Sequence, residues 1–360
     1  LHLSIRRQRQ MCIRDSRNDP RTTALLTPPG SRGPPNTRQD TALFDNEPNL
    51  ADLDFEASVA QSLALSPPRI ASKWLYDDKG AVLFEGIVSS PDYYVGRAEL
   101  EILDAHAAEI GAALGAGGSL VELGSGASTK VRKLLDAMPR LGRYVPVEIS
   151  EAQLLEAAAT LRDDYPGLEI APIAADFTKD FNLAAVVGDG PVLGFFPGST
   201  LCNLFPANSE EFLRRMHGLL GPDSCFLVGV DLHKDADVLL AAYNEPGGAI
   251  WDFNLNILDR MNRELGTGLD RADFRHEAIY NADLRRIKAA IYPLRDIVVR
   301  VAGRTFDLPA EQPIVLEYSH KYTLETFAAL AARAGWRTLN AWTDHNQLFS
   351  MHFLTNRSPA

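Results

Sequence analysis

VELGSGASTK, residues 121–130, is an apolar run that breaks into two glycines one residue apart. Such a run delivers a buried strand into a tight turn, where bare backbone can approach a ligand closely. Several classes of cofactor are held at bends of this kind, and the neighbouring residues separate them. The phosphate-loop pattern G-x-x-x-x-G-K-[ST] is absent from the chain. A dinucleotide fingerprint, G-x-G-x-x-G, asks for a third glycine where this chain has Thr129. That difference weighs only lightly against a dinucleotide, and the surrounding elements carry more.

Outward from the glycines, short apolar runs alternate with amphipathic stretches. SLVEL (119–123) reads as a buried strand and STKVRKLLDAM (128–138) as the helix that follows it. RYVPVEI (143–149), LEIAPIAADF (168–177), PVLGFF (191–196) and CFLVGVDL (225–232) repeat the strand signal, with helices from Glu151 and near 208–219 between them. Alternation of this kind predicts βαβ units and a parallel sheet covered on both faces. The chain ends differently, with a helix over 322–334 and then two adjacent strands, RTLNAWT (337–343) and LFSMHFLT (348–355), joined by the turn-forming DHNQ. That ending predicts an antiparallel hairpin on the sheet edge, typical of a class I methyltransferase. Over 233–321 the alternation stops: helices at 234–243 and 249–265 precede the extended runs RRIKAAIYPL, RDIVVRVAG and QPIVLEYSHKY. The expected fold is α/β, a Rossmann-like methyltransferase sheet (98–232 and 322–360) carrying an inserted α+β substrate-binding lobe (60–97 and 233–321).

Within that fold the turn is E-x-G-x-G, with Glu122 two residues before Gly124. In methyltransferases this pattern brings backbone against S-adenosylmethionine and sets an acid near its cationic methionine end. Ser125, Gly126, Ser128 and Lys130 of the same turn count among the cofactor-facing residues. Glu148 closes the second strand 22 residues after Gly126, where a carboxylate can accept both ribose hydroxyls. Dinucleotide proteins use the same device, so Glu148 favours neither reading. Asp176 and Phe177, ending the third strand, suit an adenine amino group and ring face.

Whole-chain properties bound the function. Hydrophobic residues at 46% and charged residues at 23% are the balance of a globular protein in water. No apolar stretch approaches the roughly 20 residues that span a bilayer. Cys12, Cys202 and Cys225 are too few for a disulfide framework, which fits a reducing cytoplasm. The net charge is −11, and residues 1–40 hold eight Arg against three Asp, leaving about −16 on the remainder. An acidic body repels phosphate backbones and anionic lipid, so neither nucleic acid nor membrane is expected as a partner. Residues 1–50, rich in Arg and paired prolines, read as a disordered head outside the fold. Its opening LHLSIRRQRQMCIRDS resembles translated adapter read-through. The eight His show no ligand spacing such as H-x-x-x-H, so no metal is expected.

Four stretches carry a more specific resemblance: KWLYDDKGAVLFEGIVSSPDYYVGRAE (73–99), VELGSGASTKVRKLLDAM (121–138), FFPGSTLCNLFPANSEEFL (195–213) and LEYSHKYT (316–323). Together they resemble the histidine Nα-methyltransferases of ergothioneine biosynthesis, in the family's order, across most of residues 66–355. The resemblance implies S-adenosylmethionine as cofactor and L-histidine as the small-molecule substrate; a monomer is expected, though no residue pattern specifies it. It places Asn203 and Tyr243 on the substrate carboxylate, neutral donors with no Arg needed. It places Glu317 and Ser319 on the imidazole; their i, i+2 spacing on an extended run puts both on one face. His320, of opposite parity, is expected at the surface.

By the same resemblance Tyr76, Phe84 and Tyr93 form an aromatic wall near the amine, with Gly198 and Thr200 adding close contacts. Either Tyr76 or Tyr93 orients the neutral amine. One departure stands out. The family commonly reads Ile-Glu-Met where this chain has Ile287-Lys288-Ala289, which implies a larger cavity beside the ring. A related methyltransferase for another amino acid or biogenic amine is therefore the second reading. A cofactor-binding module without catalysis is the third.

Overall fold

The computed structural model describes residues 53–126, 129–244 and 248–357. The expected head and Ser128 lie outside the described residues. Helices α1 (Phe55–Leu63), α2 (Asp78–Ser89) and α3 (Val95–Leu114) come first. Then follow β1 (Ser119–Leu123), α4 (Val131–Ala137), β2 (Arg143–Glu148), α5 (Glu151–Asp164), β3 (Glu169–Ile170), β4 (Ile173–Ala174), β5 (Val192–Phe196), α6 (Pro206–Leu219) and β6 (Cys225–Asp231). The third expected strand is split because Pro172, lacking an N–H, interrupts the ladder between β3 and β4. The helix after the glycines begins only at Val131.

Two helices, α7 (Ala236–Tyr243) and α8 (Ala249–Leu265), lead into β7 (Phe274–Asn281), β8 (Arg286–Pro293), β9 (Ile297–Val301), β10 (Arg304–Leu308) and β11 (Ile314–His320). The chain closes with α9 (Leu324–Arg333), β12 (Arg337–Thr343) and β13 (Phe349–Thr355). The large sheet runs β12-β13-β6-β5-β1-β2-β3, with β4 also on β2. Its β1, β2, β5 and β6 are mutually parallel, and β13 lies antiparallel between β6 and β12. This is the class I methyltransferase sheet, and β1, β5 and β6 are buried throughout, as strands covered on both faces must be. Strand order reverses between β1 and β5, and ligands of such sheets sit at the strand C-termini at that point.

The inserted strands form sheets of their own: β11-β8-β7, wholly antiparallel, and the hairpin β9-β10. A bulge at Val315/Glu317 shifts the register of β11 on β8, after which Glu317 faces Ala289 and Ser319 faces Ile287. Bulges re-aim the side chains that follow them, and here those are the two expected imidazole readers.

Three buried histidines make the fold sensitive to acid. His276, His320 and His352 are each pushed down to about 4 by burial. His352 is fully buried against Phe327, ring centroids 4.5 Å apart, and neither ring nitrogen has a hydrogen-bond partner among the described residues. Unfolded histidine protonates near 6.5 but the folded groups only near 4, so below 6.5 the unfolded chain binds more protons and stability falls. Glu122 and Glu317, raised to about 8 and about 7, titrate in the opposite sense. The measurement is therefore differential. Between about pH 7.5 and about pH 4.5, His352→Leu should gain roughly 2 to 3 kcal/mol on the wild type in urea unfolding. A difference that stays constant with pH would contradict the burial account.

Candidate active site

The cofactor end is built from three strand termini. Gly124 and Gly126 adopt φ of 71° and 45°, the left-handed region that favours glycine. The Gly124 N–H, at 2.8 Å, and that of Ser125, at 3.3 Å, both donate to the Val147 carbonyl, which locks the turn against β2. A Cβ on Gly124 would lie 3.3 Å from the Phe177 ring, so the third strand end leans directly over the turn. Phe177 in turn packs edge-on against Phe196 at the end of β5, centroids 5.3 Å apart. Glu148 accepts from the Gly126 N–H at 3.2 Å and from Ile149 N–H at 2.8 Å, which fixes its carboxylate at the turn. Asp176 accepts from the Thr178 N–H at 2.9 Å, an Asx turn that holds the next loop.

Behind this surface Glu122 is buried and accepts a hydrogen bond from the Tyr144 hydroxyl. Burial raises its carboxyl to about 8, against the pull of Tyr144 and Lys130. A cation placed beside it would favour the charged form. Lys130 pairs with Glu99, a fully buried carboxylate on α3 whose other oxygen accepts from the Gly198 N–H at 2.8 Å. Glu99 thus ties the glycine turn to the loop after β5, a role that an isolated acid on a long helix does not announce in sequence. Gly198 itself has φ of 68°, and it presses so close to β6 that a Cβ on Gly229 would meet its carbonyl oxygen at 2.4 Å. Thr200, exposed, donates to the Pro197 carbonyl at 3.3 Å and opens the short 3₁₀ turn Thr200–Asn203. Glycines where the chain must turn, a carboxylate at the second strand end and a ring over the turn fit a nucleoside carrying a cationic amino-acid tail.

A second cluster faces it from the inserted segment. Tyr76, Phe84 and Phe253 form a triangle of rings with centroids 5.1–5.8 Å apart. Tyr76 keeps 45% of its surface accessible, yet its hydroxyl is raised well above 10 by the surrounding protein and then by Glu317 and Tyr93, which places the hydroxyl end near those two groups. Tyr93 is raised well above 10 for the same reason, with Tyr243 and Glu317 as its next influences. Phe253 is absent from the expected wall because it looks like any core residue of an amphipathic helix.

Glu317 sits among these groups. It is partly accessible, and its carboxylate accepts no hydrogen bond from any described residue. Burial raises it to about 7 despite the opposing pull of Lys321. Its cross-strand row is Ala278 and Ala289, both small and buried, so the neighbouring strands put no bulky side chain beside it. Ser319 is fully buried, 3.1 Å from the Tyr243 hydroxyl. Asn203 turns a buried side-chain oxygen that has no partner among the described residues.

One expectation is corrected here. His320 is not at the surface: it is 6% exposed, with Nδ1 3.2 Å from the Cys202 carbonyl and its ring edge-on to Phe205. The far face of β11 is covered by that turn, which parity alone does not reveal. Beside the neutral donors lie two cations that the sequence reading did not assign. Lys321 is fully buried and Lys234 keeps 6% of its side chain accessible, each 2.5 Å from Asp231 at the end of β6, and Tyr94 donates to the same carboxylate at 2.8 Å. Burial would raise Asp231, but the two ammonium groups outweigh it and hold it below the usual carboxylate range.

Residues 55–356 match the family model described as histidine-specific methyltransferase, SAM-dependent. The chain belongs to that family. The histidine N-alpha-methyltransferase of Mycolicibacterium smegmatis is 39% identical over 291 residues, 79% of this chain and 90% of that protein. That of Mycobacterium tuberculosis is 37% identical over 297 residues, 81% of this chain and 92% of the relative. Ergothioneine biosynthesis protein 1 of Neurospora crassa is 28% identical over 296 residues, 80% of this chain but 33% of that longer protein. The protein is thus an enzyme that uses S-adenosylmethionine. Among its described residues no helix is long and apolar enough to cross a membrane.

Proposed function

We propose that the protein methylates the α-amine of L-histidine three times, giving hercynine (trimethylhistidine), the first step of ergothioneine biosynthesis. The observation that carries this reading is the pair on β11. Glu317 offers a carboxylate with no hydrogen-bond partner among the described residues, and Ser319 offers a hydroxyl two residues along the same face. A carboxylate takes an imidazole N–H and a hydroxyl serves the other ring nitrogen, so the pair reads both edges of the ring. Asn203 and Tyr243 hold the carboxylate of the substrate, and the segments 60–97 and 233–321 act as the substrate-binding lobe. At the other end Gly124, Ser125, Gly126, Ser128 and Glu122 receive the methionine part of the cofactor, with Lys130 braced behind them. Glu148 takes the ribose, and Asp176 and Phe177 the adenine.

Bound S-adenosylmethionine supplies a methyl group already activated by the sulfonium charge. The protein's part is alignment and exclusion of water. Tyr76 and Tyr93, with hydroxyls held well above 10, stay protonated at neutral pH and orient the neutral amine rather than act as phenolate bases. The rings of Tyr76, Phe84 and Phe253 attract the ammonium that persists as methyls accumulate, by about 0.5 to 2 kcal/mol each. Gly198 and Thr200 close the gap between the two ligands.

Incubation with S-adenosylmethionine and each amino acid in turn, followed by mass spectrometry, tests the reading. Histidine should gain three methyl groups and the other amino acids none. Methylation of a different amine, with histidine untouched, would overturn the substrate and leave the enzyme class standing.

A further inference from the structure

Lys321 lies outside every group assigned so far to cofactor or substrate, yet it is fully buried in the middle of the site. Its ammonium has three N–H bonds and three partners: Asp231 at 2.5 Å, Ser319 Oγ at 2.7 Å and Tyr243 Oη at 3.2 Å. An ammonium donates and cannot accept. It therefore fills an acceptor position on each hydroxyl oxygen, and neither hydroxyl proton can point back at it. Among the described residues those two protons have only each other's oxygen, 3.1 Å away, or else the ligand as a destination. At least one O–H must face the ligand. Once Tyr243 turns its own to a carboxylate, the Ser319 proton is left with the Tyr243 oxygen or the ligand, and a ring nitrogen lone pair that would otherwise be buried without a donor draws it to the ligand.

We propose that Lys321 is a positioning residue that makes Ser319 and Tyr243 hydrogen-bond donors toward the substrate. The site then accepts a ring only if an unprotonated nitrogen stands before Ser319 while an N–H stands before Glu317. Neutral imidazole meets both demands. Asp231 holds the ammonium in place from the opposite side, and Lys234, at 2.5 Å on the other oxygen of that carboxylate, keeps Asp231 charged. This inference rests on the histidine reading above and adds a rule about which ring nitrogen carries the proton.

The test compares L-histidine with the two pyrrolylalanines, in which one ring nitrogen or the other is replaced by C–H. The better of these keeps its N–H at Glu317 and presents C–H to Ser319, stranding a buried donor. The wild type should use it about tenfold to a hundredfold less well in kcat/KM than histidine. In Lys321→Met the Ser319 hydroxyl is free to turn, and that gap should close to within a few-fold, while the other analogue stays poor and cofactor affinity is retained. Should the single variant fail to fold, Asp231→Asn with Lys321→Met and Lys234→Met removes the three charges of the cluster together and is expected to give the same closing of the gap. An unchanged gap in either folded variant, or no gap in the wild type, overturns the role of Lys321. Absence of histidine turnover by the wild type would instead overturn the histidine reading itself.

Discussion

Replacing Glu317 with alanine should lower kcat/KM for L-histidine by about two to four orders of magnitude, with cofactor affinity nearly unchanged. A site that buries a group to hydrogen-bond its substrate loses most when that group goes, and discrimination built this way reaches roughly 10⁴–10⁵ in favourable cases. Glu317→Gln keeps the shape and an acceptor oxygen but removes the charge, so its loss should be smaller, of order tenfold to a hundredfold. The pH profile separates the two effects. Burial holds Glu317 near 7, so it is protonated below that value and cannot accept the ring N–H with full strength. Wild-type kcat/KM should therefore rise with pH through about 7, before the further rise that comes from the substrate amine. Glu317→Gln should lose one of the two protons in that lower limb, leaving the substrate's own imidazole, near 6.5, and its amine. A lower limb as steep in the glutamine variant as in the wild type would place the titrating group elsewhere.

Asp231→Ala should cost the fold about 3 to 5 kcal/mol, because it leaves Lys321 and Lys234 buried without their counter-charge. For a domain of this size that corresponds to a drop in Tm of order 10 °C. Tyr94 would lose its acceptor as well, since it donates to both oxygens of this carboxylate at 2.8 and 3.0 Å. Thermal denaturation of the variant, followed by a second measurement with Lys321→Met added, checks the cause. If the uncompensated charge is responsible, the second change returns part of the lost stability. A loss below about 1 kcal/mol would mean that water reaches the lysines and that the cluster is not buried as described.

The parts of this fold that are plain in the sequence are those whose burial is uniform. SLVEL, VLGFF and CFLVGVD are apolar along their length because both faces are covered, and they lie at the centre of the parallel sheet. The closing hairpin is equally plain, two alternating strands about a turn whose Asp344 accepts three backbone N–H bonds within 3.0 Å. FRHEAIYN and RTFDL are harder: β7 and β10 each lie at an edge of a small sheet, and their charged residues hide the period of two. In the site, the residues proposed to face a ligand are ones that a motif or the family resemblance points to, as with Gly124, Glu148, Glu317 and Ser319. Residues that act on other residues are not. Glu99, Asp231 and Lys321 sit far apart in the chain, and only the packing of α3, β6 and the end of β11 brings their charges to the site. Phe253 was hidden for a different reason, since a ring that lines a cleft and a ring that fills a core occupy the same helix positions.

The most direct measurement is a crystal structure of the enzyme with L-histidine and S-adenosylhomocysteine. One imidazole nitrogen should lie within about 2.6 to 3.2 Å of the Glu317 carboxylate and the other at the same range from Ser319 Oγ. The α-amine should point past Tyr76 and Tyr93 toward the sulfur. An imidazole bound away from β11, with the carboxylate end of histidine against Glu317 and Ser319, would contradict the assignment of this site.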